Sequence, residues 1–255
     1  MTTALRTEQL VIGHRHEPLI APVDLHFGSG QLVALIGVNG SGKTTLLRTI
    51  AGLHPAISGR VLIQDRDMAR ITAMERARSM SVVLTGRMDM GLLDVRTLVS
   101  LGRQPWTGRL GLLTAKDRER VQLAMERTGV DRFEHRALRA LSDGELQLVL
   151  IARSLAQDTP VMLLDEPTAY LDVVNRVRLV ALLRDVAHST GTLVLLSTHD
   201  LQTALELADR SVLITGREAI AGTPSELLAA EAVQRAFATS GMRFDPVTGS
   251  FKAVR

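Results

Sequence analysis

The sequence LVALIGVNGSGKT, residues 32–44, decides the fold of this 255-residue chain. Its second half matches G-x-x-x-x-G-K-[ST] at every fixed position, and its first half is a continuous apolar run. Such a run suits a strand that is buried on both faces. The glycines let backbone N–H groups face inward, and the start of the next helix attracts phosphate oxygens. The stretch predicts a strand, a phosphate-binding loop and a helix from residue 43 to about 53.

Within this phosphate loop, two side chains carry specific chemistry. The ammonium group of Lys43 can reach the β and γ phosphates of a nucleotide, and the hydroxyl of Thr44 can be a ligand of Mg²⁺. The nucleotide-binding residues predicted here are Gly37, Val38, Asn39, Gly40, Ser41, Gly42, Lys43, Thr44 and Thr45.

Two further apolar runs end in polar side chains. Residues 161–164 are followed by Asp165 and Glu166, and residues 193–196 lead to His199. In a parallel α/β sheet the ligand edge lies at the carboxyl ends of the strands, so these side chains are expected near the phosphate loop. Asp165 is predicted to hold Mg²⁺, directly or through water. Glu166 is predicted to polarise the attacking water, and His199 to contact the γ phosphate.

Away from these motifs, the chain alternates short apolar runs with amphipathic helices, which predicts an α/β fold. Residues 87–157 depart from this pattern, because they contain helices and loops without a clear strand. We expect a single domain in which residues 1–86 and 158–255 form the nucleotide-binding core and residues 87–157 an inserted helical lobe. The predicted strands are residues 5–12, 20–27, 32–36, 61–64, 80–84, 161–164, 193–196, 211–214 and 219–221, with a closing hairpin over 244–251.

The segment LSDGE, residues 141–145, opens a helix that ends near residue 157. Ser142 and Glu145 form a capping box, and the same helix start with its Ser hydroxyl and the close backbone of Gly144 can bind an anion. One subunit cannot easily bring both anion sites, about a hundred residues apart, to one nucleotide. A head-to-tail dimer can, by placing ATP between the loop of one copy and Ser142 of the other.

With these motifs in this order, nearly the whole chain resembles the ATP-binding cassette (ABC) ATPases. The phosphate loop, residues 161–166, residues 169–172 and His199 follow the family's order and spacing, with LSDGE where the family usually has LSGGQ. The resemblance implies a RecA-like P-loop NTPase core with an antiparallel β part and a helical subdomain. It also implies ATP hydrolysis by a homodimer that closes on two ATP molecules and drives membrane-spanning permease subunits.

The stretch GRQPW, residues 102–106, is similar to a segment of the ATPases that power import of iron–siderophore, haem and cobalamin. For Trp106 the ordinary alternative is packing within the helical lobe. A member of that group works at the cytoplasmic face of the inner membrane, as a peripheral subunit, and is served indirectly by a substrate-binding protein.

Two positions depart from the family pattern. Where members usually carry an aromatic residue that stacks on adenine, this chain has His14, which can stack with less area or be only a loop residue. Where members carry a glutamine that approaches Mg²⁺ and the γ phosphate, this chain has Thr85. Its side chain is shorter, so contact with Mg²⁺ requires a closer backbone or a bridging water.

The amino-acid composition excludes several classes of function and partner. The 30 basic and 27 acidic side chains are scattered without long runs, and aromatics make up 3%, so we expect no nucleic-acid partner. The chain has no cysteine, which excludes disulfides, thiolate metal sites and a cysteine nucleophile. No apolar run of about 18 residues and no signal-peptide pattern is present, so neither a transmembrane helix nor secretion is expected.

Three other functions remain open at this stage. An exporter subunit would share all the motifs. A soluble cassette protein of translation or DNA repair would usually have paired cassettes or a long coiled-coil insertion. A small-molecule P-loop kinase would have no use for the LSDGE helix. A neighbouring permease gene and a binding-protein gene would favour the importer.

Overall fold

The computed structural model describes residues 2–15, 17–84, 86, 91, 93–108, 110–237, 242–245 and 250–253. The strands in this part of the chain are β1 (Thr3–Val11), β2 (Gly13–His14), β3 (Glu17–Pro18), β4 (His26–Gly28), β5 (Leu32–Gly37), β6 (Ser58–Ile63), β7 (Arg66–Asp67), β8 (Met80–Val83), β9 (Val161–Leu164), β10 (Leu193–Ser197), β11 (Arg210–Ile214), β12 (Ala219–Gly222), β13 (Met242–Asp245) and β14 (Ser250–Ala253). The helices are α1 (Lys43–Ile50), α2 (Ala73–Ser79), α3 (Val95–Ser100), α4 (Ala115–Thr128), α5 (Asp143–Gln157), α6 (Val173–Thr190), α7 (Leu201–Leu207), α8 (Pro224–Ala229) and α9 (Ala232–Phe237).

The central sheet has six strands in the order β12–β11–β5–β10–β9–β8. All neighbours are parallel except β11 and β12. Every residue of β5, β9 and β10 is buried, which explains their unbroken apolar sequence. The carboxyl ends of these three strands lie at one edge, so the phosphate loop and the polar residues after β9 and β10 are brought together. The predicted α/β class is confirmed.

A second sheet has four antiparallel strands in the order β4–β1–β6–β7. The strand predicted over residues 20–27 forms only at its end, in β4, and that prediction was wrong for the rest. Pro22 has no N–H to donate to a ladder. Val23 forms only an isolated bridge with Leu10 of β1. The Leu25 N–H donates to the Thr7 hydroxyl (2.9 Å) instead of a backbone carbonyl, so the pairing with β1 is irregular.

Helix α1 begins at Lys43 as predicted but ends at Ile50, three residues early. Gly52 has a φ of +69°, a left-handed conformation that glycine adopts without strain. The Leu53 N–H then donates to the Arg48 carbonyl at 2.9 Å, which is the closing bond of a Schellman motif. The helix that follows the phosphate loop is therefore only 8 residues long.

Helix starts agree closely with the sequence, because a capping side chain is a local signal. The hairpin of β13 and β14 is also confirmed, with antiparallel pairing. The capping box predicted for Ser142 and Glu145 is confirmed, and three more capping boxes start helices α2, α4 and α8: Thr72 with Glu75, Thr114 with Asp117, and Thr223 with Glu226.

Helices α3, α4 and α5 pack on one face of the central sheet, and the described residues between 87 and 157 contain no named strand. Helix α1 and the antiparallel sheet cover the other face. The GRQPW stretch ends beside the last turn of α5, where Arg103 donates to the Ala156 carbonyl (2.8 Å) and Trp106 Nε1 to the Gln157 carbonyl (2.6 Å). Gln157 in turn donates to the Met80 carbonyl at 2.9 Å, which ties the end of α5 to the core.

Asp117 is a buried carboxylate that links the start of α4 to this junction. Its Oδ1 accepts from Arg103 Nε at 2.9 Å, and its Oδ2 accepts from the Thr114 hydroxyl and N–H. The hydrogen bonds from Thr114, with help from Arg103, lower the pKa of Asp117 from 3.8 to about 2. The folded state therefore favours the ionised carboxylate.

We expect Asp117→Asn to lower the free energy of unfolding at pH 7 by about 3 kcal/mol, because it leaves the Arg103 charge buried without its partner. The contribution of a carboxylate with a lowered pKa is present above its ordinary pKa and disappears as pH falls from about 4 to about 2. Urea unfolding from pH 2 to 7 should therefore show the variant and the wild type converging at the acid end.

Glu75→Gln is the matched control, since Glu75 occupies the same capping-box position and also pairs with an arginine, Arg66 at 2.6 Å, but near the surface. We expect it to cost less than Asp117→Asn. Equal losses for the two variants would show that burial of the Arg103–Asp117 pair does not matter.

No helix in the described part of the chain is both long and apolar enough to cross a membrane.

Candidate active site

The phosphate loop is shaped to receive an anion. Gly37 has a φ of +155°, and a Cβ there would lie 2.4 Å from the Ile214 carbonyl oxygen and 2.8 Å from Ser41 Oγ. Only glycine fits that position. Ser41 is buried, and its hydroxyl has no hydrogen-bond partner among the described residues. A buried polar atom of this kind requires a partner, and phosphate oxygens meet that requirement.

The ammonium group of Lys43 is hydrogen-bonded to the backbone of the phosphate loop. Its Nζ donates to the carbonyls of Gly37 (2.9 Å) and Val38 (3.1 Å), and the side chain is buried. Burial lowers the pKa of Lys43, while the negative charges of Glu166 and Asp165 oppose that shift. The loop therefore holds a cation that the loop's own carbonyls orient.

Thr44 and Asp165 form an oxygen pair beside the loop. The Thr44 hydroxyl donates to Asp165 Oδ1 at 2.9 Å, although the two residues are far apart in sequence. The Ser197 hydroxyl donates to the same Oδ1 at 2.8 Å. Hard oxygen ligands suit Mg²⁺, which is usually bound by one or two protein oxygens plus substrate phosphates and waters. The described residues contain no group of three or more His, Cys, Asp or Glu that could hold a metal ion.

Glu166 is turned away from Asp165 by its backbone. It follows the end of β9 with a φ of +47°, an uncommon conformation for a residue with a side chain. Its N–H donates to Ser197 Oγ at 2.8 Å, which holds this turn. Alternation along a strand, which would also turn neighbouring side chains apart, does not apply here, because β9 ends at Leu164.

His199 contacts Glu166 directly. His199 Nε2 lies 2.5 Å from Glu166 Oε2, and an ionised carboxylate can only accept, so His199 donates. Both side chains line the cleft of the phosphate loop, as predicted. The arrangement places a carboxylate and an imidazole where a water and a γ phosphate can meet.

These groups line one open cleft of about 620 Å³. His14 belongs to it, on the short strand β2, and Leu19 closes the same wall. The predicted residues Gly37, Val38 and Ser41 shape the loop rather than this lining. The lining consists of His14, Leu19, Asn39, Gly40, Gly42, Lys43, Thr44, Thr45, Glu166 and His199.

Ser142 and Gly144 lie in a different cleft of about 320 Å³, which shares no lining residue with the first. Leu171 and Asn175 form part of its wall. The Ser142 hydroxyl and N–H both donate to Glu145 Oε2, at 3.0 and 2.9 Å, and these bonds lower the pKa of Glu145. Within one chain, the structure does not bring Ser142 to the phosphate loop.

Sequence reasoning did not single out Ser197, which joins Asp165 to the turn at Glu166. A serine at the end of a fully buried strand was the available signal. Thr85 lies outside the described residues, so its predicted approach to Mg²⁺ stays a prediction.

The fold and this cleft define an ATPase of the P-loop class, and the chain belongs to the ABC transporter family, whose model matches residues 20–169. Among its relatives is the achromobactin transport ATP-binding protein CbrD of Dickeya dadantii, 35% identical over 236 residues, which cover 92% of this chain and 88% of the relative.

The cobalamin import ATP-binding protein BtuD of Halobacterium salinarum is 40% identical over 223 residues, covering 87% of this chain and 56% of the relative. The solved structure of cbiO1 from Clostridium perfringens, part of the ABC transporter complex cbiONQ, has a TM-score of 0.78 at 26% identity. It covers 92% of this chain and 94% of that one.

Proposed function

We propose that this chain is the ATP-hydrolysing subunit of an importer for iron–siderophore, haem or cobalamin-type chelates. The observation that carries the proposal is one cleft lined by the phosphate loop, Glu166 and His199, in which the Thr44 hydroxyl donates to the buried Asp165. The relatives named for achromobactin and cobalamin transport support the substrate class. The GRQPW stretch supports it as well.

Each side chain then has a defined task. Lys43 and the loop N–H groups hold the β and γ phosphates, and Thr44 and Asp165 would hold Mg²⁺. When bound there, Mg²⁺ would offset the negative charge that develops during phosphoryl transfer. Glu166 accepts a proton from the attacking water, and His199 moves from Glu166 to donate to the γ phosphate.

The working unit in this proposal is a homodimer. Ser142 and Gly144 of one copy complete the phosphate site of the other, which accounts for two separate clefts in each chain. An exposed apolar patch next to the second cleft supports a protein interface there. The patch consists of Tyr170, Val173, Val174 and Val177.

The proposal places the homodimer as a peripheral subunit at the cytoplasmic face of the inner membrane, beneath membrane-spanning permease subunits. A substrate-binding protein acts indirectly through them, and no nucleic acid is involved. Residues 1–86 and 158–255 serve as the nucleotide-binding core, and residues 87–157 as the lobe that moves with the permease. The permease helices are expected to lodge near residues 86–106, part of which lies outside the described residues.

The direct test is co-purification of the tagged chain from membranes with a permease encoded next to it, followed by reconstitution into vesicles with a chelate-binding protein. ATP-dependent uptake of an iron chelate, haem or cobalamin is expected. Export of substrate instead, or activity that never requires a permease, would contradict the importer.

Thr85 is expected to couple hydrolysis to transport. Its hydroxyl can serve through a bridging water, whose ordering costs roughly 0–2 kcal/mol. Thr85→Val keeps the shape and removes the hydroxyl, so we expect chelate uptake to fall more than basal ATPase activity. Both rates are measured in one reconstituted system. Unchanged rates and unchanged uptake would show that Thr85 is only a loop residue.

A further inference from the structure

A second histidine, His54, contacts the residue predicted to face the base. His54 lies in the loop after α1 and belongs to none of the motifs in the sequence. Its ring centroid is 4.8 Å from that of His14, at an interplanar angle of 65°. Its Nε2 is 2.7 Å from the Gly13 carbonyl oxygen. Two adjacent residues of β2 are therefore held by one side chain.

The direction of the hydrogen bond fixes the His54 ring. A carbonyl oxygen can only accept, so Nε2 carries the proton and donates. With that end anchored, the ring presents its other surface to His14 in an edge-to-face contact, a favourable arrangement for two aromatic rings. His54 is half-buried, whereas His14 is exposed to the cleft.

The hairpin of β2 and β3 lies directly against the phosphate loop. Leu19, which follows β3, packs so closely on Gly42 that a Cβ there would lie 2.9 Å from Leu19 Cδ2. The Leu19 N–H also donates to the Ile12 carbonyl at 2.8 Å, which closes the base of the hairpin. The position of the His14 ring relative to the phosphates is thus set by contacts at both ends of the hairpin.

We propose that His54 is a positioning residue for the nucleotide base: it holds the His14 ring and the Gly13 carbonyl so that His14 stands ready to stack on adenine before ATP arrives. An exposed imidazole offers less stacking area than a larger aromatic ring, so it gains more from being held in place. This inference rests on the proposed function, in which the cleft binds ATP.

The competing role for His54 is a structural link between the hairpin and the loop after α1. The two regions are already joined by the Ile57 N–H, which donates to the Val11 carbonyl at 2.9 Å. A structural role would affect every ligand of the phosphate loop. A positioning role affects only ligands that carry a base.

The test compares binding of ATP with binding of inorganic tripolyphosphate, measured by calorimetry in the presence of Mg²⁺. We expect His14→Ala and His54→Ala each to weaken ATP binding about 5- to 10-fold, the lower range for loss of stacking on a base. Tripolyphosphate binding should stay within about 2-fold. The double variant should bind ATP no more weakly than His14→Ala, because His54 acts through His14.

Two conservative variants separate the contacts and replace His54→Ala if it folds poorly. His54→Phe keeps a ring without the donor, and His54→Gln keeps an N–H donor without the ring. Each should retain part of the ATP affinity. His26→Ala is the matched control, since His26 is an exposed histidine that bonds Thr3 Oγ1 at 2.8 Å and does not line the cleft.

The possible outcomes separate the positioning role of His54 from the proposed ATPase function. Loss of both ATP and tripolyphosphate affinity in the His54 variants would show a structural role and overturn the positioning role. Selective loss in His14→Ala with no loss in any His54 variant would overturn it while leaving the base site intact. Failure of the wild-type chain to bind ATP at all would contradict the proposed function itself.

Discussion

Glu166→Gln is expected to lower ATP turnover at least about 100-fold, the range for losing a general base, while ATP affinity is retained. Glutamine has nearly the same shape and can still accept from His199, whose Nε2 lies 2.5 Å from Glu166 Oε2. Thr44, Asp165 and Lys43 keep their contacts. Binding should therefore persist without proton transfer, and the ATP-bound homodimer should accumulate.

Two measurements check this expectation. Phosphate release gives the rate, and light scattering with and without ATP and Mg²⁺ gives the dimer fraction. Glu206→Gln is the control, an equal change on an exposed residue of α7 that is absent from the cleft lining. Hydrolysis by Glu166→Gln near the wild-type rate would show that another group activates the water.

The elements that sequence predicted well are those with local causes. Both ends of strand β9 were predicted correctly, because its four apolar residues, which are buried, are followed directly by charged residues. The capping box of Ser142 and Glu145 was found because its two partners lie only three residues apart. The prediction of a strand over residues 20–27 failed for most of its length because Pro22 has no N–H and because the Leu25 N–H donates to the hydroxyl of Thr7, a residue of another strand.

The site residues also fall into those that a local motif reveals and those that only the fold brings together. The phosphate loop is contiguous, so its nine residues could be assigned from the motif. The role of Ser197 depends on β10 lying between β5 and β9, and that order is not encoded in any short segment. His54 was missed for the same reason, because its contact with His14 joins residues 40 positions apart that share no motif.

The second prediction with a large effect is loss of ATPase activity when either cleft is altered, the phosphate-loop cleft of one chain or the Ser142 cleft of its partner. Lys43→Ala should weaken nucleotide binding, because the loop loses the cation that its own carbonyls orient. Ser142→Arg should abolish turnover by placing a bulky cation where the partner's γ phosphate would lie. Each variant alone is expected to be nearly inactive, since every half-site of its homodimer carries one lesion.

Thr223→Arg controls for damage to the fold. Thr223 is the N-cap of another capping box, at α8, and it lines neither cleft. Loss of a cap costs typically about 1 kcal/mol in either variant, so both should lose similar stability. Only Ser142→Arg should lose ATPase activity.

Mixing the Lys43→Ala and Ser142→Arg chains should restore activity. In a mixed dimer the damaged loop faces the damaged signature, so both lesions fall in one half-site and the opposite half-site has an intact Lys43 and an intact Ser142. Half of randomly paired dimers are mixed and have one of two sites, so recovery is limited to about a quarter of the wild-type rate. If one site cannot turn over alone, ATP-dependent formation of mixed dimers is the readout.

A site shared between two copies would be contradicted if mixing restored no ATPase activity and formed no ATP-dependent mixed dimers. It would also be contradicted by a labelled nucleotide that contacts only the Ser142 of its own chain. In that case the 320 Å³ cleft at Ser142 would have to serve a ligand other than the partner's ATP.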